Sequence, residues 1–235
     1  MSELIDIADL SSTLGLGRGE LVSIVGGGGK TTTLFALGEQ LDGRTVLTTT
    51  TKMGKDRTGG FPVLHSPTDE QLRIALDQYR VVLAWGEVDD RRASGVEPET
   101  VDRWMSVADN AVVEADGSRR KPFKAPLDYE PVVPSRTTML IACVGVEAIG
   151  MTIADGCQRP ERVAAIADCG VEDVLTPERA AAVLLSDQGS MKDKPATARF
   201  AVCLCRVRPE DLETIAALDA AVVAAAPVIA VKSFD

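Results

Sequence analysis

The chain contains 235 residues, of which 45% are hydrophobic and 26% are charged, and its formal net charge is −10. That length allows a substantial core in one large domain or two small ones, and the excess of acidic side chains argues against non-specific binding to nucleic acid or to an anionic membrane. We find no run of about eighteen uncharged apolar residues that would span a membrane. The acidic start, MSELIDIADL, lacks the basic and apolar plan of a secretory signal. We therefore expect a cytoplasmic protein that binds neither nucleic acid nor membrane.

Apolar runs typical of strands alternate with segments typical of helices. The predicted strands span residues 20–26, 44–51, 61–66, 80–88, 110–117, 137–145, 198–207 and 227–234. The predicted helices span residues 30 to about 43, 68–79 after a capping Thr68, 97–109, 159–169, 176–188 and 209–226. Because near-continuous apolar strands separated by helices pack as a parallel sheet, we predict an α/β fold with a mainly parallel sheet and helices on both faces. The simplest organisation is one α/β domain over residues 1–235 with a functional loop at 118–136.

The segment SIVGGGGKTTTLF, residues 23–35, places four glycines between a predicted strand and a predicted helix. Glycines let backbone N–H groups approach an anion closely, and a helix N-terminus adds a positive dipole. Lys30 would neutralise the β- and γ-phosphates of ATP or GTP, and the hydroxyl of Thr31 would ligate Mg²⁺. The alternative is a tight turn with an incidental lysine, although an ordinary turn does not need four consecutive glycines. The predicted nucleotide-binding residues are Gly26, Gly27, Gly28, Gly29, Lys30, Thr31 and Thr32.

This loop is shorter than the common pattern G-x-x-x-x-G-K-[ST], which requires a glycine where the chain has Ile24. The chain instead reads G-x-x-G-K-T-T from Gly26 to Thr32. That register resembles the G-T-N-G-K-T-T loop of the Mur-type ATP-dependent ligases. We therefore expect a fold like that of the P-loop NTPases, with a shortened phosphate loop like that of the Mur ligases.

A second motif, AVVEADG at residues 111–117, ends an apolar strand in two carboxylates and resembles a Walker B segment. Strand alternation would point Glu114 and Asp116 to one face. We expect Asp116 to hold Mg²⁺ together with Thr31, and Glu114 to orient or deprotonate the attacking group. The alternative is that both acids are surface residues at a strand end. The predicted catalytic residues are Lys30, Glu114 and Asp116, and the predicted metal ligands are Thr31 and Asp116.

Basic residues lie beside both motifs in a chain that is otherwise acidic. Lys52 follows four threonines at the end of a predicted strand, where the ligands of open α/β sheets collect. A basic cluster, RRKPFK at residues 119–124, follows the two carboxylates directly. Thr49 to Lys52 could give hydroxyls and an ammonium to Mg²⁺ or phosphate, and the alternative is that the threonines only form the strand. The basic cluster suits a second anionic ligand, such as a cofactor precursor, and the alternative is a solvated charged loop. The predicted anion-binding residues are Lys52, Arg119, Lys121 and Lys124, with Lys192 and Lys194 as further sources of positive charge.

The five cysteines contain no CxxC pair and the chain has one histidine, His65, so we expect no zinc site. Cys203 and Cys205 would share one face of the strand predicted at 198–207. We interpret them as buried core thiols, and a redox pair or a soft-metal clip is the alternative. His65 is interpreted as structural or exposed.

Eight motifs stand in order along the chain: GGGGKTTT, TTTTKM, VVEADGSRRKPFKAP, EPVVP, GVEAIG, RPERVA, LTPERAAAVL and GSMKDKP. From about residue 20 to residue 195 they resemble the YqeC-type family, which is associated with selenium-dependent molybdenum hydroxylases. The resemblance implies a P-loop nucleotide-binding protein that acts in the maturation of those enzymes by an undefined reaction. It assigns the phosphate role to Gly26, Gly29, Lys30, Thr31 and Thr32, the acidic strand end to Glu114 and Asp116, and the basic block to Arg119, Lys121 and Lys124.

Two positions depart from the pattern of that family. Gln158 stands where the family tends to have histidine, and residues 205–208 stand where it often has a sequence like Asn-Lys-x-Asp. The Asn and Asp of such a sequence would recognise guanine, so ATP is at least as good a candidate here as GTP.

The motifs leave three functions open. The leading hypothesis is a Mg²⁺-dependent nucleoside-triphosphate-binding protein, and an NTPase, that assists the maturation of a molybdenum hydroxylase partner. The second is an ATP-dependent ligase or kinase that activates an anionic cofactor or small-molecule substrate held by the basic loop. The third is a nucleotide-switched chaperone that passes a cofactor to a partner.

Overall fold

The computed structural model describes residues 4–89 and 92–233. The first three residues of MSELIDIADL and the last residue of the strand predicted at 227–234 lie outside the described residues. In chain order the strands are β1 (Leu4–Ile5), β2 (Leu21–Gly26), β3 (Thr45–Thr49), β4 (Met53–Gly54), β5 (Val63–His65), β6 (Val81–Trp85), β7 (Arg92–Ala93), β8 (Asn110–Glu114), β9 (Phe123–Lys124), β10 (Met139–Gly145), β11 (Cys157–Gln158), β12 (Arg199–Val207) and β13 (Val228–Lys232). The α-helices are α1 (Leu10–Thr13), α2 (Lys30–Gln40), α3 (Asp69–Tyr79), α4 (Pro98–Trp104), α5 (Ile153–Gly156), α6 (Pro160–Ile166), α7 (Pro177–Leu184) and α8 (Leu212–Val222).

Nine of these strands form one sheet in the order β1-β13-β12-β10-β2-β8-β3-β6-β5. Every pairing within this sheet is parallel. All residues of β2, β3, β6 and β10 are buried, as expected for strands covered on both faces. The predicted mainly parallel sheet is therefore confirmed. Two pairs of two-residue strands, β4 with β7 and β9 with β11, lie outside it.

Helices cover both faces of the sheet. On one face, Leu34 and Leu37 of α2 pack in the same apolar cluster as Val22 of β2. On the other face, α3 and α4 form a second cluster with Leu21, and α6, α7 and α8 form a third with Val25. Among the described residues, no helix is both long enough and apolar enough to cross a membrane.

The central strands bring the sequence motifs to one edge of the sheet. Ile24 of β2 pairs with Glu114 of β8, and Glu114 also pairs with Thr49 of β3. Because the strands are parallel, the turn after β2 and the ends of β3 and β8 lie side by side at the carboxyl edge. The four glycines, the threonine run and the two carboxylates are therefore neighbours in space.

Candidate phosphate and metal site

The glycine loop, residues 26–29, joins the buried strand β2 to the helix α2. Gly26 and Gly29 have left-handed backbones, with φ of 100° and 101°, which favour glycine because it has no Cβ. A Cβ on Gly27 would lie 1.9 Å from the carbonyl oxygen of Pro122. The glycines are thus required by the backbone that packs around them.

The N–H groups of the glycine loop and of the first turn of α2 fall into two sets. Those of Gly26, Gly27 and Gly28 donate to the protein itself: to the Asp116 carboxylate at 3.0 Å, to a carbonyl of β10 at 2.8 Å and to the Pro122 carbonyl at 3.1 Å. The first bond of α2 runs from Thr33 N to Gly29 O. The N–H groups of residues 30–32 therefore have no intrahelical acceptor and are the ones that can face an anion.

Lys30 opens α2 and is 3% exposed. Its ammonium donates to the carbonyl oxygens of Gly26 at 2.7 Å and Gly27 at 3.2 Å, and lies 3.3 Å from Asp116 and 4.0 Å from Glu114. Burial lowers the pKa of Lys30, but the charges of Asp116 and Glu114 outweigh that effect and raise the pKa above its usual value. Lys30 is therefore a cation at neutral pH.

Thr31, the second residue of α2, contacts Glu114 at the end of β8. The hydroxyl of Thr31 donates to a carboxylate oxygen of Glu114 at 2.9 Å, and Arg57 Nη1 lies 3.4 Å from the same hydroxyl. Burial raises the pKa of Glu114 above its usual value, and the charge of Lys30 opposes this shift only in part. The contact joins a hydroxyl and a carboxylate, both oxygen donors of the kind that Mg²⁺ prefers.

Asp116 has a different environment from Glu114. Its carboxylate accepts from the N–H of Gly26 and forms ion pairs with Lys30 at 3.3 Å and Lys124 at 3.0 Å, and its side chain is 2% exposed. Both acids face Lys30, as strand alternation predicts, whereas Ala115 packs in the apolar core on the other side. Asp116 borders a small cavity together with Gly26 and Lys124, whereas Glu114 borders the cavity that Thr31 lines.

A buried chain of charges continues from Asp116. Lys124 pairs with Glu130 at 2.9 Å, and Glu130 also pairs with Arg159. Signs therefore alternate from Lys30 through Asp116, Lys124 and Glu130 to Arg159, so that each charge has an opposite neighbour in a region of low dielectric. This charge chain links the glycine loop to a second part of the carboxyl edge.

Three adjoining cavities of about 310, 340 and 360 Å³ form a cleft along this edge. The first lies over the glycine loop and shares Thr31, Glu114 and Arg57 with the second. The third is bordered by Glu130 and shares Lys52 and Arg119 with the second. We call the whole the basic cleft because its cationic lining residues are Lys30, Lys52, Arg57, Arg92, Arg119, Arg120, Arg159 and Arg206.

The structure places the predicted basic residues in different positions. Lys52 and Arg119 line the basic cleft, and within the described part of the chain no carboxylate forms an ion pair with either. Lys124 is buried in the charge chain, and Lys121 donates to the carbonyl of Asp155 at 2.5 Å. Lys194 donates to two carbonyls at the amino end of β12, at the opposite edge of the sheet.

Several cleft residues were missed by the sequence analysis: Arg57, Arg92, Glu130, Arg159 and Arg206. The motif EPVVP begins at Glu130 and the motif RPERVA begins at Arg159. Both motifs pointed to this region of the chain, but neither gave its residues a role. Arg206 lies against Gly28 and pairs with Glu147 at the mouth of the glycine loop.

Comparison with known proteins decides the family. The family model described as YqeC protein matches residues 22–161. The chain is also 30% identical over 208 residues to the uncharacterized protein YqeC of Escherichia coli (strain K12), covering 85% of this chain and 81% of that protein. This chain belongs to the YqeC family. The span matched by the YqeC model contains the glycine loop, both carboxylates, the basic loop and the whole charge chain.

Two cysteines beyond residue 161 of this YqeC chain join Cys143 in a group of thiols beneath the glycine loop. Cys203 and Cys205 of β12 are buried on one face, with their sulfurs 3.8 Å apart, as strand alternation predicts. Cys143 of β10 joins them, and all three sulfurs lie within 4.8 Å of one another. His65 is exposed and its ring centroid lies 5.9 Å from that of Trp85, which agrees with a structural or exposed role.

Proposed function

We propose that this YqeC-family protein binds a nucleoside triphosphate with Mg²⁺ on the glycine loop and hydrolyses it or transfers its γ-phosphoryl group. The observation that carries the proposal is the hydrogen bond from Thr31 to Glu114 at the start of α2. It puts two oxygen donors beside a buried lysine and beside the N–H groups of a helix N-terminus, the combination that polyphosphates and their metal ion require.

The Thr31–Glu114 pair has the spacing that a metal ion needs. Two adjacent ligands in an octahedral Mg²⁺ shell, each at 2.0–2.1 Å, are about 2.9 Å apart, and the Thr31 and Glu114 oxygens are 2.9 Å apart. A Mg²⁺ held there would neutralise charge on the β- and γ-phosphates. The motif that resembles Walker B predicted Asp116 in this role, but Asp116 is bonded to Gly26, Lys30 and Lys124. We therefore propose Glu114 as the metal carboxylate and Asp116 as a positioning residue for Lys30.

Lys30 is the proposed phosphate clamp. Its ammonium is bonded to the carbonyls of Gly26 and Gly27, so it is already held over the loop where the phosphates would bind. A phosphate oxygen would replace those two carbonyls as its acceptor, while Asp116 keeps the lysine charged and in place. Arg57, close to the Thr31 hydroxyl, is suited to stabilise charge that develops on the γ-phosphate.

Calorimetry with Mg²⁺–ATP and Mg²⁺–GTP tests this proposal. In Lys30→Met, Asp116 retains the Gly26 N–H and Lys124, so the fold is expected to survive while nucleotide affinity falls by at least about a hundredfold, as for loss of a buried charged contact. Lys194→Met is the matched control because Lys194 also donates to two backbone carbonyls but lies at the opposite edge. Unchanged affinity in a folded Lys30→Met variant would overturn the proposal.

The basic cleft favours a second candidate, a ligase or kinase that activates an anionic substrate. Lys52, Arg92 and Arg119 line the cavities next to the glycine loop, and no described carboxylate forms an ion pair with them. Clustered cations that form no ion pair with a described carboxylate suit a carboxylate, a phosphate or a phosphorylated cofactor as ligand. ATP turnover should then rise when the right anionic compound is added, and Arg119→Ala should remove that stimulation without changing nucleotide affinity.

The role in maturation of selenium-dependent molybdenum hydroxylases is the proposed biological context and rests on the family resemblance. In that context the phosphoryl chemistry would serve assembly of the hydroxylase centre, with an anionic precursor in the basic cleft. A nucleotide-switched cofactor chaperone is the remaining alternative. Tight nucleotide binding with negligible turnover, together with co-purification of a hydroxylase, would favour the chaperone over the enzyme.

A further inference from the structure

The three thiols beneath the glycine loop converge from two neighbouring strands. Cys143 and Cys203 are directly paired residues of β10 and β12, and Cys205 lies two residues further along the same face. All three side chains are at least nine-tenths buried, at 1%, 0% and 6% exposure. Three of the five cysteines in the chain therefore point into one small volume.

The spacing of the sulfurs matches that of thiolates around one metal ion. At a metal–sulfur distance of about 2.3 Å, two sulfurs in a tetrahedral or trigonal shell lie about 3.8–4.0 Å apart. Cys203 and Cys205 are 3.8 Å apart, and every sulfur pair in the group is within 4.8 Å. A disulfide, by contrast, needs about 2.05 Å between its sulfurs.

The surroundings of the three thiols favour negative charge on the sulfurs and allow a metal ion to enter. The N-terminal end of α2 lies over it, since a Cβ on Gly29 would be 2.2 Å from the Cys205 sulfur. Arg206 follows Cys205 directly, and both line a cavity of about 100 Å³ that also borders Gly29 and Thr32. The cavity gives a small ion access to the group at Cys205.

We propose that Cys143, Cys203 and Cys205 bind a soft, thiophilic metal ion of the Cu(I) class directly beneath the glycine loop. Soft thiolates select such ions, and the three-sulfur set, with no histidine or carboxylate in the group, suits a three-coordinate monovalent ion better than zinc, which prefers four ligands. Binding releases three thiol protons and leaves a net charge of −2 at the site. Because Cys205 contacts Gly29, the ion also fixes the residue that precedes Lys30.

The test is an anaerobic titration of the reduced, full-length protein with Cu(I) against a competing chelator, without nucleotide. We expect one Cu(I) per chain, and Cys203→Ala should weaken binding at least a hundredfold. Cys157→Ala is the matched control, because Cys157 is equally buried but lies in the apolar cluster on the other face. The proposal would be overturned if the protein did not compete with the chelator for Cu(I). It would also be overturned if Cys203→Ala and Cys157→Ala lost equal affinity for Cu(I).

X-ray absorption on the wild-type protein with bound Cu(I) tests the site without depending on the folding of any variant. Three sulfur neighbours at a single distance of about 2.3 Å are expected around the bound copper. Two sulfurs, or a mixture with nitrogen or oxygen neighbours, would contradict the three-thiolate site.

Discussion

The hydroxyl of Thr31 donates a hydrogen bond of 2.9 Å to the carboxylate of Glu114, across the junction between the first turn of α2 and the end of β8. These two residues are 83 positions apart in the chain. Their contact defines the candidate metal site, because it is where the helix N-terminus, a hydroxyl and a carboxylate meet at the carboxyl edge of the sheet.

Removing the Thr31 hydroxyl should separate metal-dependent binding from folding. In Thr31→Ala, we expect nucleotide affinity in the presence of Mg²⁺ to fall about tenfold or more, as for loss of one charge-assisted contact, and the affinity without Mg²⁺ to change little. Thr31→Ser keeps the hydroxyl and should bind as the wild type does. Affinities that are equal for Ala and Ser at saturating Mg²⁺ would show that the hydroxyl is not a ligand.

Ionisation of the Glu114 carboxyl group should lower the free energy of unfolding of the nucleotide-free protein. Its pKa is raised in the folded state, so the folded state holds the proton more tightly than the unfolded state does. The stability that the protonated Glu114 contributes is fully present below the usual pKa of a glutamate. It is lost as pH rises through the raised pKa that Glu114 has in the folded protein. The variant Glu114→Gln should not show this loss. Its free energy of unfolding should therefore rise relative to that of the wild type as pH increases from the usual pKa of a glutamate through the raised pKa of Glu114.

Urea unfolding as a function of pH measures this difference. The same variant should lose Mg²⁺-dependent nucleotide binding, because a carboxamide is a weaker metal ligand than a carboxylate. A variant that is less stable than the wild type at neutral pH, with metal dependence intact, would assign Glu114 a structural role only.

Lys124 should matter for stability more than for ligand binding. It lies between Asp116 and Glu130, at 3.0 and 2.9 Å, so Lys124→Met leaves two buried carboxylates with one partner fewer each. We expect a loss of about 3–5 kcal/mol in the free energy of unfolding. Lys121→Met, in the same loop, removes only a bond to the carbonyl of Asp155 and should cost about 1 kcal/mol or less. Equal effects of the two substitutions would argue against a cooperative charge chain.

Gly27 tests the packing of the glycine loop. A Cβ there would overlap the Pro122 carbonyl at 1.9 Å, so Gly27→Ala must displace backbone and should cost more than about 2 kcal/mol in unfolding free energy. Gly17→Ala is the control, since a Cβ at Gly17 meets no atom within 4 Å. A Gly27→Ala variant as stable as Gly17→Ala would mean that the loop is not packed against residue 122.

Sequence patterns predicted the large elements because these have enough residues to show a period. The prediction that Glu114 and Asp116 face the same side is confirmed by their common contact with Lys30. Two-residue strands such as β4, β7 and β9 carry no period and were missed. The predicted helix at 97–109 ends earlier, at Trp104, in a turn.

The remaining features depend on which distant segments become neighbours. Cys143 could not be joined to Cys203 from the sequence, because the adjacency of β10 and β12 is a property of the strand order. Similarly, the charge chain forms only when the segment around Glu130 folds back between Lys124 and Arg159. The end of β8 at Glu114 determines that Glu114, and not Asp116, contacts Thr31.

In the proposed function, the glycine loop binds the phosphates of a nucleotide, and Thr31 and Glu114 hold its metal ion. A crystal structure of the wild-type protein with Mg²⁺ and a non-hydrolysable ATP or GTP analogue measures this directly. We predict the β- and γ-phosphates against the N–H groups of residues 30–32, the Lys30 ammonium on a phosphate oxygen, and Mg²⁺ bound by Thr31 and Glu114. Phosphates bound away from the loop, or a Mg²⁺ held by Asp116 with Glu114 uninvolved, would contradict the account.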